Sequence, residues 1–223
     1  MLAITFDMDG LMFNSEDVYT LAGSELLSRR GREFTPELKD AMMGLPPQRA
    51  FEVMIEWHAL DEPWQAIAAE SNEIFLGLLD KHLATMPGLM ELLAALEQAG
   101  IPKAIATSSS RWLAEACLDP FALVPRFSFV LTSEDITHGK PDPEIYLLAA
   151  RRLGVPPGEM LVLEDSQNGC RAASAAGAFT VAVPGEHSCR QDFSTANLVI
   201  ESLEDARLYE VLGLKQSRGG GGR

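Results

Sequence analysis

The sequence predicts an α/β fold in which a doubly wound parallel sheet carries an inserted α-helical domain. Short apolar runs recur along the chain and stop at polar or turn residues, as expected for strands buried on both faces of a parallel sheet. Helical stretches separate these runs, which favours crossover connections between parallel strands. One long segment, residues 15–86, has helical patterns and no convincing strand. We therefore expect two structural units of different architecture.

The predicted strands lie at residues 2–6, 101–106, 127–131, 160–163 and 179–183. Leucines from Leu89 to Leu96 recur at helical spacing, and a second amphipathic stretch runs from Pro143 to Gly154, so both are predicted helices of the sheet domain. In such sheets, ligands bind outside the carboxyl ends of the strands. Polar residues that directly follow the predicted strands are therefore the first candidates for a functional site.

The inserted domain is predicted to contain four amphipathic helices, at residues 16–30, 36–43, 47–57 and 63–82. Glycine and proline turns separate them. We assign residues 1–14 and 87–215 to the sheet domain and residues 15–86 to the helical domain. Residues 216–223, which include four consecutive glycines, are predicted to form a flexible tail.

Composition narrows the classes of function. The 223 residues are 47% hydrophobic, enough for one sizeable core and a smaller domain. A net charge of −14 would repel nucleic acids and anionic membranes, so neither is an expected partner. The sequence has no secretory signal and no apolar run of the roughly 20 residues that cross a bilayer, which predicts a cytoplasmic protein, expected to be a monomer. Cys117, Cys170 and Cys189 lack metal or redox spacing and are expected to be buried free thiols.

Two acidic pairs directly follow predicted strands. Asp7 and Asp9 precede Gly10, and Glu164 and Asp165 end the run at 160–163. A plain turn and a helix N-cap are the structural alternatives for these pairs. If the strands are neighbours, the carboxylates converge, and two unit charges about 4 Å apart repel by ~4 kcal/mol at an effective dielectric near 20. Such a cluster calls for a cation, and ligation by oxygen alone suggests Mg²⁺.

Two further segments offer groups that bind anions. Thr107 ends a predicted strand and leads into three serines at the start of a helix, where hydroxyls and backbone N–H groups are available. Lys140 lies between Gly139 and Pro141, and the prolines after it limit where its side chain can point. Helix capping and a solvated surface lysine are the structural alternatives.

In chain order, these four elements resemble the four motifs of the haloacid dehalogenase superfamily: Asp-x-Asp-Gly, a threonine at a strand end, a Gly-Lys-Pro lysine and Glu-Asp-Ser. The resemblance spans roughly residues 3–185 and includes a helical cap inserted after the first motif, as in the β-phosphoglucomutase-like subgroup. It implies a Rossmann-like catalytic core and phosphoryl-transfer chemistry.

The resemblance also implies roles for individual residues. Asp7 would be the nucleophile that forms an aspartyl-phosphate, and Asp9 the general acid and base. Mg²⁺ would be held by Asp7, the backbone carbonyl of Asp9 and Asp165, with Glu164 adjacent or ligating. The groups that would bind the transferring phosphoryl oxygens are those of Thr107 and Lys140.

Residues that select the substrate are expected in two places. The cap loop supplies Gly44, Leu45, Gln48 and Arg49. The core supplies Ser108, Ser109, Arg111 and Asn168. A helix–helix turn is the structural alternative for the cap loop, and a solvated helix position is the alternative for Arg111.

The carboxylate at Asp9 favours phosphate-ester chemistry over dehalogenation. β-Phosphoglucomutases typically carry a histidine where this chain has Tyr19, and an arginine three residues after the cap-loop glycine, whereas here Arg49 is displaced by two positions. We therefore expect a magnesium-dependent phosphatase acting on a small phosphorylated metabolite such as a sugar or polyol phosphate. A phosphosugar mutase is the alternative, and a non-catalytic binding protein on the same fold is a further one, which the intact motifs disfavour.

Overall fold

The computed structural model describes residues 1–43 and 45–214 of the chain. These residues form two compact units. One combines Met1–Asn14 with the chain from Ala84 onward, and the other is Ser15–Leu83. The predicted tail at 216–223 lies outside the described residues.

The first unit is built on a six-stranded parallel sheet. Its strands are β1 (Ala3–Phe6), β2 (Lys103–Ala106), β3 (Val130–Leu131), β4 (Met160–Glu164), β5 (Phe179–Ala182) and β6 (Leu198–Val199). The order across the sheet is β3-β2-β1-β4-β5-β6, so β1 lies in the interior of the sheet between β2 and β4. All residues of β1, β2 and β4 are buried, as their apolar character requires. The predicted fold class is confirmed.

Helices alternate with the strands of this unit, and one more helix follows the last strand. They are α5 (Leu89–Gln98), α6 (Arg111–Leu118), α7 (Glu144–Leu153), α8 (Gln167–Ala175) and α9 (Ala206–Leu212). Leu89, Leu92, Leu93 and Leu96 are all fully buried, which confirms the predicted apolar face of α5. Ile145 and Tyr146 of α7 pack into a core cluster with residues of β2 and β4.

Two strands differ from the prediction. β3 covers only Val130–Leu131 instead of residues 127–131. A 3₁₀ turn at Val124–Arg126 ends immediately before Phe127, so the strand begins later than predicted. β6 was not predicted, since two residues are too short to give a recognisable apolar run.

The second unit contains α1 (Ser15–Ser28), α2 (Pro36–Met42), α3 (Pro47–His58) and α4 (Trp64–His82). α1 packs along α4, and the ring of Tyr19 stacks on that of Phe75 with centroids 4.4 Å apart. After α1, Arg30 bridges Glu62 and Glu70 at 2.7 and 2.6 Å. Buried apolar side chains of α1 and α4, among them Val18, Leu26, Ile67 and Phe75, form the interior of the unit.

The three cysteines are free thiols, as predicted, but they differ in exposure. Cys117 and Cys170 are buried, and burial raises the pKa of the Cys117 thiol to about 12. The prediction that Cys189 is buried is wrong, because it lies in an exposed turn where its Sγ contacts the carbonyl of Glu186. Over the part of the chain that the structure describes, no helix has the length and apolar character needed to cross a membrane.

Candidate active site

The ends of adjacent strands form the framework of the site. Phe6 of β1 pairs with Leu163 of β4, and β2 lies on the other side of β1. Asp7, Thr107 and Glu164 therefore reach the same edge of the sheet, because the carboxyl ends of parallel strands meet there. The backbone N–H of Asp7 donates to the carbonyl of Leu163 at 2.9 Å, which holds Asp7 in register with β4.

Asp7 lies at the centre of this edge and is only 6% exposed. Burial raises the pKa of Asp7 to about 8; Lys140 opposes this shift, whereas the carboxylates of Glu164 and Asp9 add to it. The surrounding protein groups alone thus favour protonated Asp7 at neutral pH. A cation beside Asp7 would lower this pKa and keep the carboxylate ionised, which is the nucleophilic form.

The ammonium group of Lys140 lies against Asp7. It donates to the Asp7 carboxylate, to Glu164 Oε1 at 2.6 Å and to the carbonyl oxygen of Ala106 at 3.1 Å. Burial alone would lower the pKa of Lys140, but the adjacent carboxylates of Asp7 and Glu164 raise it well above its ordinary value. The structure therefore fixes a positive charge beside the carboxylate predicted as nucleophile.

Tyr146 was not predicted as a site residue. It is fully buried on α7, and its hydroxyl donates to Glu164 Oε1 at 2.6 Å. A tyrosine on the buried face of a helix needs a hydrogen-bond partner, and this need is the sequence signal for such a residue. The identity of the partner depends on how α7 packs against the following strand, β4, which ends at Glu164.

Asp9 follows Asp7 by two residues and is partly exposed. Its Oδ2 accepts hydrogen bonds from Ser109 Oγ at 2.7 Å and Thr107 Oγ1 at 3.2 Å. Its Oδ1 is buried and has no hydrogen-bond partner among the described residues. Thr107 is predicted to bind the phosphoryl group and Ser109 the substrate, and in this structure both hydroxyls contact Asp9.

An acidic cluster at the edge fits a divalent cation. Carboxylate oxygens of Asp7, Glu164 and Asp165 all lie within 4.8 Å of one another. Gly10 has a φ of 74°, and a Cβ at this position would overlap the Asp165 carboxylate, so glycine leaves room for that group. Lys140 supplies one positive charge to this cluster, through its contacts with Asp7 and Glu164. The three carboxylates exceed that charge, and carboxylate oxygens are ligands that Mg²⁺ prefers.

The remaining core residues lie around this edge. Ser108 is exposed, and Asn168 is partly buried in the first turn of α8. The guanidinium of Arg111 is paired with Asp135 at 2.6 Å and is 42% exposed. This ion pair disfavours Arg111 as a substrate ligand, because binding would have to displace Asp135.

The predicted cap-loop residues belong to the helical unit. Leu45 is 38% exposed, and Gln48 donates to Glu52 at 2.9 Å. The guanidinium of Arg49 pairs with Glu52 and Glu56, one and two turns further along α3. Gly44 lies outside the described residues.

Comparison with known proteins identifies the family. Residues 4–183 match the haloacid dehalogenase-like hydrolases. A probable pseudouridine-5'-phosphatase of Drosophila melanogaster is 34% identical over 206 residues, covering 90% of this chain and 89% of that protein. A phosphorylated carbohydrates phosphatase of Thermotoga maritima is 32% identical over 181 residues, covering 79% of this chain and 82% of that protein. The structure of a putative β-phosphoglucomutase of Thermotoga maritima has the same fold, with a TM-score of 0.82 and 27% identity, covering 95% of this chain and 100% of that chain.

The chain belongs to the haloacid dehalogenase-like hydrolase family. The predicted family, its β-phosphoglucomutase-like subgroup and the predicted enzyme class, a phosphoric monoester hydrolase, are confirmed.

Proposed function

We propose that this protein is a magnesium-dependent phosphatase that hydrolyses a small phosphorylated metabolite, such as a sugar or polyol phosphate, through an aspartyl-phosphate on Asp7. One observation carries the proposal. The buried Asp7 carboxylate lies at the edge of the sheet with the Lys140 ammonium against it and the Asp165 carboxylate within 4.8 Å. This arrangement places a carboxylate nucleophile among the charges that phosphoryl transfer requires.

The reaction has two steps. In the first, a carboxylate oxygen of Asp7 forms a bond to phosphorus as the ester P–O bond breaks, and Asp9 gives its proton to the leaving oxygen. In the second, water attacks the phosphorus of the aspartyl-phosphate while Asp9 takes a proton from that water. Phosphate leaves and the Asp7 carboxylate is restored. Asp9 thus ends in the protonated state in which it began.

The developing charge on the phosphoryl oxygens needs fixed positive groups. We assign this function to the Lys140 ammonium, which is already held beside Asp7, and to the Thr107 hydroxyl at the end of β2. Thr107 donates to Asp9 in the present structure, so substrate binding would exchange that hydrogen bond for one to a phosphoryl oxygen.

Asp7, Asp165 and the backbone carbonyl of Asp9 would hold Mg²⁺. When bound, the ion supplies positive charge that keeps Asp7 ionised and draws the phosphoryl group toward it. The raised pKa of Asp7 and the excess of carboxylates at this edge support this assignment.

The nature of the substrate is inferred from the relatives. Two phosphatases that act, by name, on a nucleoside phosphate and on phosphorylated carbohydrates each align with most of this chain. Two contacts in the helical unit disfavour the mutase alternative. Tyr19, at the position where mutases typically carry a histidine, stacks on Phe75, and Arg49 is paired with Glu52 and Glu56.

The test is hydrolysis of a panel of sugar, polyol and nucleoside monophosphates, together with p-nitrophenyl phosphate, with Mg²⁺ and with EDTA. We expect release of inorganic phosphate that EDTA abolishes and added Mg²⁺ restores. Full activity in EDTA would contradict the metal assignment. Conversion of a hexose phosphate into its isomer at a higher rate than phosphate release would establish the mutase instead.

A further inference from the structure

Tyr146 combines deep burial with a polar contact to the site. It lies on α7 in a core cluster that includes Ala106, Leu131 and Val162, and it is fully buried. Its hydroxyl donates to Glu164 Oε1, and Lys140 Nζ lies over its ring, 5.1 Å from the ring centroid. One side chain therefore contacts both members of the ion pair that borders Asp7, although neither contact is needed to fill the core.

Glu164 is held by four hydrogen bonds. Oε1 accepts from Tyr146 and Lys140, both at 2.6 Å, and Oε2 accepts from the hydroxyl and the backbone N–H of Ser166 at 2.9 and 3.2 Å. A carboxylate offers about four lone-pair positions, so this set fills them. Gly169 packs directly against the same carboxylate, where any Cβ would overlap it. Glu164 is thus fixed in orientation and has its oxygens engaged by protein groups.

Lys140 is fixed in turn. An ammonium group has three N–H donors, and here they face three acceptors: Asp7, Glu164 and the carbonyl of Ala106. The carbonyl belongs to the backbone of β2. Glu164 is a side chain, so the direction of the ammonium group depends on what holds Glu164, and Tyr146 supplies the hydrogen bond at the same oxygen that Lys140 uses.

We propose that Tyr146 is a positioning residue for phosphoryl transfer, whose hydroxyl fixes Glu164 so that Lys140 is held against Asp7. The proposal rests on the proposed function, because it assumes that Lys140 stabilises the transferring group. Its effect falls on the transition state, where the charge on the phosphoryl oxygens is largest. Glu164 then acts through Lys140, and Asp7, Asp9 and Asp165 remain to hold the metal.

The experiment is the substitution Tyr146→Phe, which keeps the ring beside Lys140 and removes only the hydroxyl. Tyr209→Phe is the matched control, since Tyr209 is a tyrosine of the same unit that is 4% exposed and lies on α9, where burial raises its pKa and the carboxylates that add to this shift are those of Glu91 and Glu204. With the preferred monophosphate, we expect kcat of Tyr146→Phe to fall about 10-fold, with KM and the Mg²⁺ dissociation constant within about 2-fold of wild type, as a small misplacement of a catalytic charge predicts. Tyr209→Phe should match the wild type.

Two kinetic outcomes would overturn the proposal. One is a kcat for Tyr146→Phe within 2-fold of the value for Tyr209→Phe. The other is a weakened Mg²⁺ affinity with kcat fully restored at saturating Mg²⁺, which would show that Tyr146 acts on the metal through Glu164.

A second readout does not depend on turnover. The ammonium group of Lys140, assigned in ¹⁵N NMR by its loss in Lys140→Met, should give a slowly exchanging signal in wild type and Tyr209→Phe, and exchange faster in Tyr146→Phe. An unchanged signal in Tyr146→Phe would also overturn the proposal. If the wild type hydrolyses no monophosphate, the proposed function fails, while the ammonium signal still decides whether Tyr146 positions Lys140.

Discussion

The groups that hold Lys140 and the groups that hold Asp9 are built differently. The side chains of Lys140 and Glu164 are buried, and their hydrogen-bonding positions are filled by protein groups. Asp9 is partly exposed, is held through one oxygen by two hydroxyls, and leaves its other oxygen without a partner among the residues that the structure describes. The Lys140–Glu164 pair is therefore fixed, whereas Asp9 can exchange partners.

This difference matches two demands of phosphoryl transfer. A charge that stabilises a transition state acts best when it is already oriented, because reorganisation during the reaction would cost free energy. A group that gives and takes a proton must reach first the leaving oxygen and then a water molecule. The site therefore uses different residues for the two demands: Lys140, held by Glu164, for electrostatic stabilisation and Asp9 for proton transfer.

Among the variants that test this difference, we expect Asp9→Asn to have the largest effect on turnover. The change keeps the backbone carbonyl and nearly the same volume, so Mg²⁺ affinity should survive. The side chain can no longer transfer protons, and we expect turnover of an alkyl phosphate to fall by about 10² to 10⁴, the range of general acid–base catalysis. Formation of the intermediate from p-nitrophenyl phosphate should suffer less, because that leaving group needs little protonation. Rapid-quench kinetics on both substrates measure the difference.

Ser109→Ala is the matched variant for this prediction. It keeps the Asp9 carboxylate and removes only one of its two hydrogen bonds. We expect turnover to fall by about 10-fold at most, and to fall more for the alkyl phosphate than for p-nitrophenyl phosphate, as with Asp9→Asn. If Asp9→Asn loses activity equally on both substrates and binds Mg²⁺ more weakly, then Asp9 acts through the metal and the proposed division of the site is wrong.

A smaller effect concerns Asp7 itself and is measured as a change in the free energy of unfolding. In metal-free protein the pKa of Asp7 is raised by burial to about 8, so between about pH 4 and pH 8 the folded state holds a proton that the unfolded state has lost. The free energy of unfolding contributed by this group is therefore fully present at low pH and is lost as the pH rises toward 8. The slope for one group is at most about 1.4 kcal/mol per pH unit.

Urea unfolding in EDTA from pH 5 to pH 8 measures this slope. Asp7→Asn cannot titrate at this position, so its stability should fall less steeply with pH than that of the wild type. Histidines that titrate in the same range are present in both proteins and cancel in the difference. Parallel curves for the two proteins would show that Asp7 is not held protonated by its surroundings, which would remove one argument for the cation.

Much of the site was predictable because strand ends converge. Asp7, Thr107 and Glu164 each follow or end an apolar run, and a parallel sheet brings the carboxyl ends of such runs to one edge. Lys140 required the family resemblance, since no pattern in its own loop specifies which carboxylate it will face.

Other features depended on tertiary structure. Periodicity indicates that Tyr146 is buried, but it does not indicate that the hydroxyl contacts Glu164. The hydrogen bond from the Ser109 hydroxyl to Asp9 could not be predicted, because it joins residues 100 positions apart in the sequence. The roles of Leu45, Gln48 and Arg49 in selecting a substrate remain predictions, because loop shape is not encoded in local sequence patterns.

The central claim is that Asp7 carries the phosphoryl group, and trapping that group tests it most directly. Wild type, Asp9→Asn and Asp7→Asn are mixed with ³²P-labelled substrate and Mg²⁺, quenched in acid within milliseconds, and digested for peptide mapping. We predict label on the peptide that contains Asp7 in the wild type and more of it in Asp9→Asn, where hydrolysis of the intermediate lacks its base. Asp7→Asn should carry none. Full turnover by the wild type with no label at Asp7 in either active protein, or label retained by Asp7→Asn, would contradict the account.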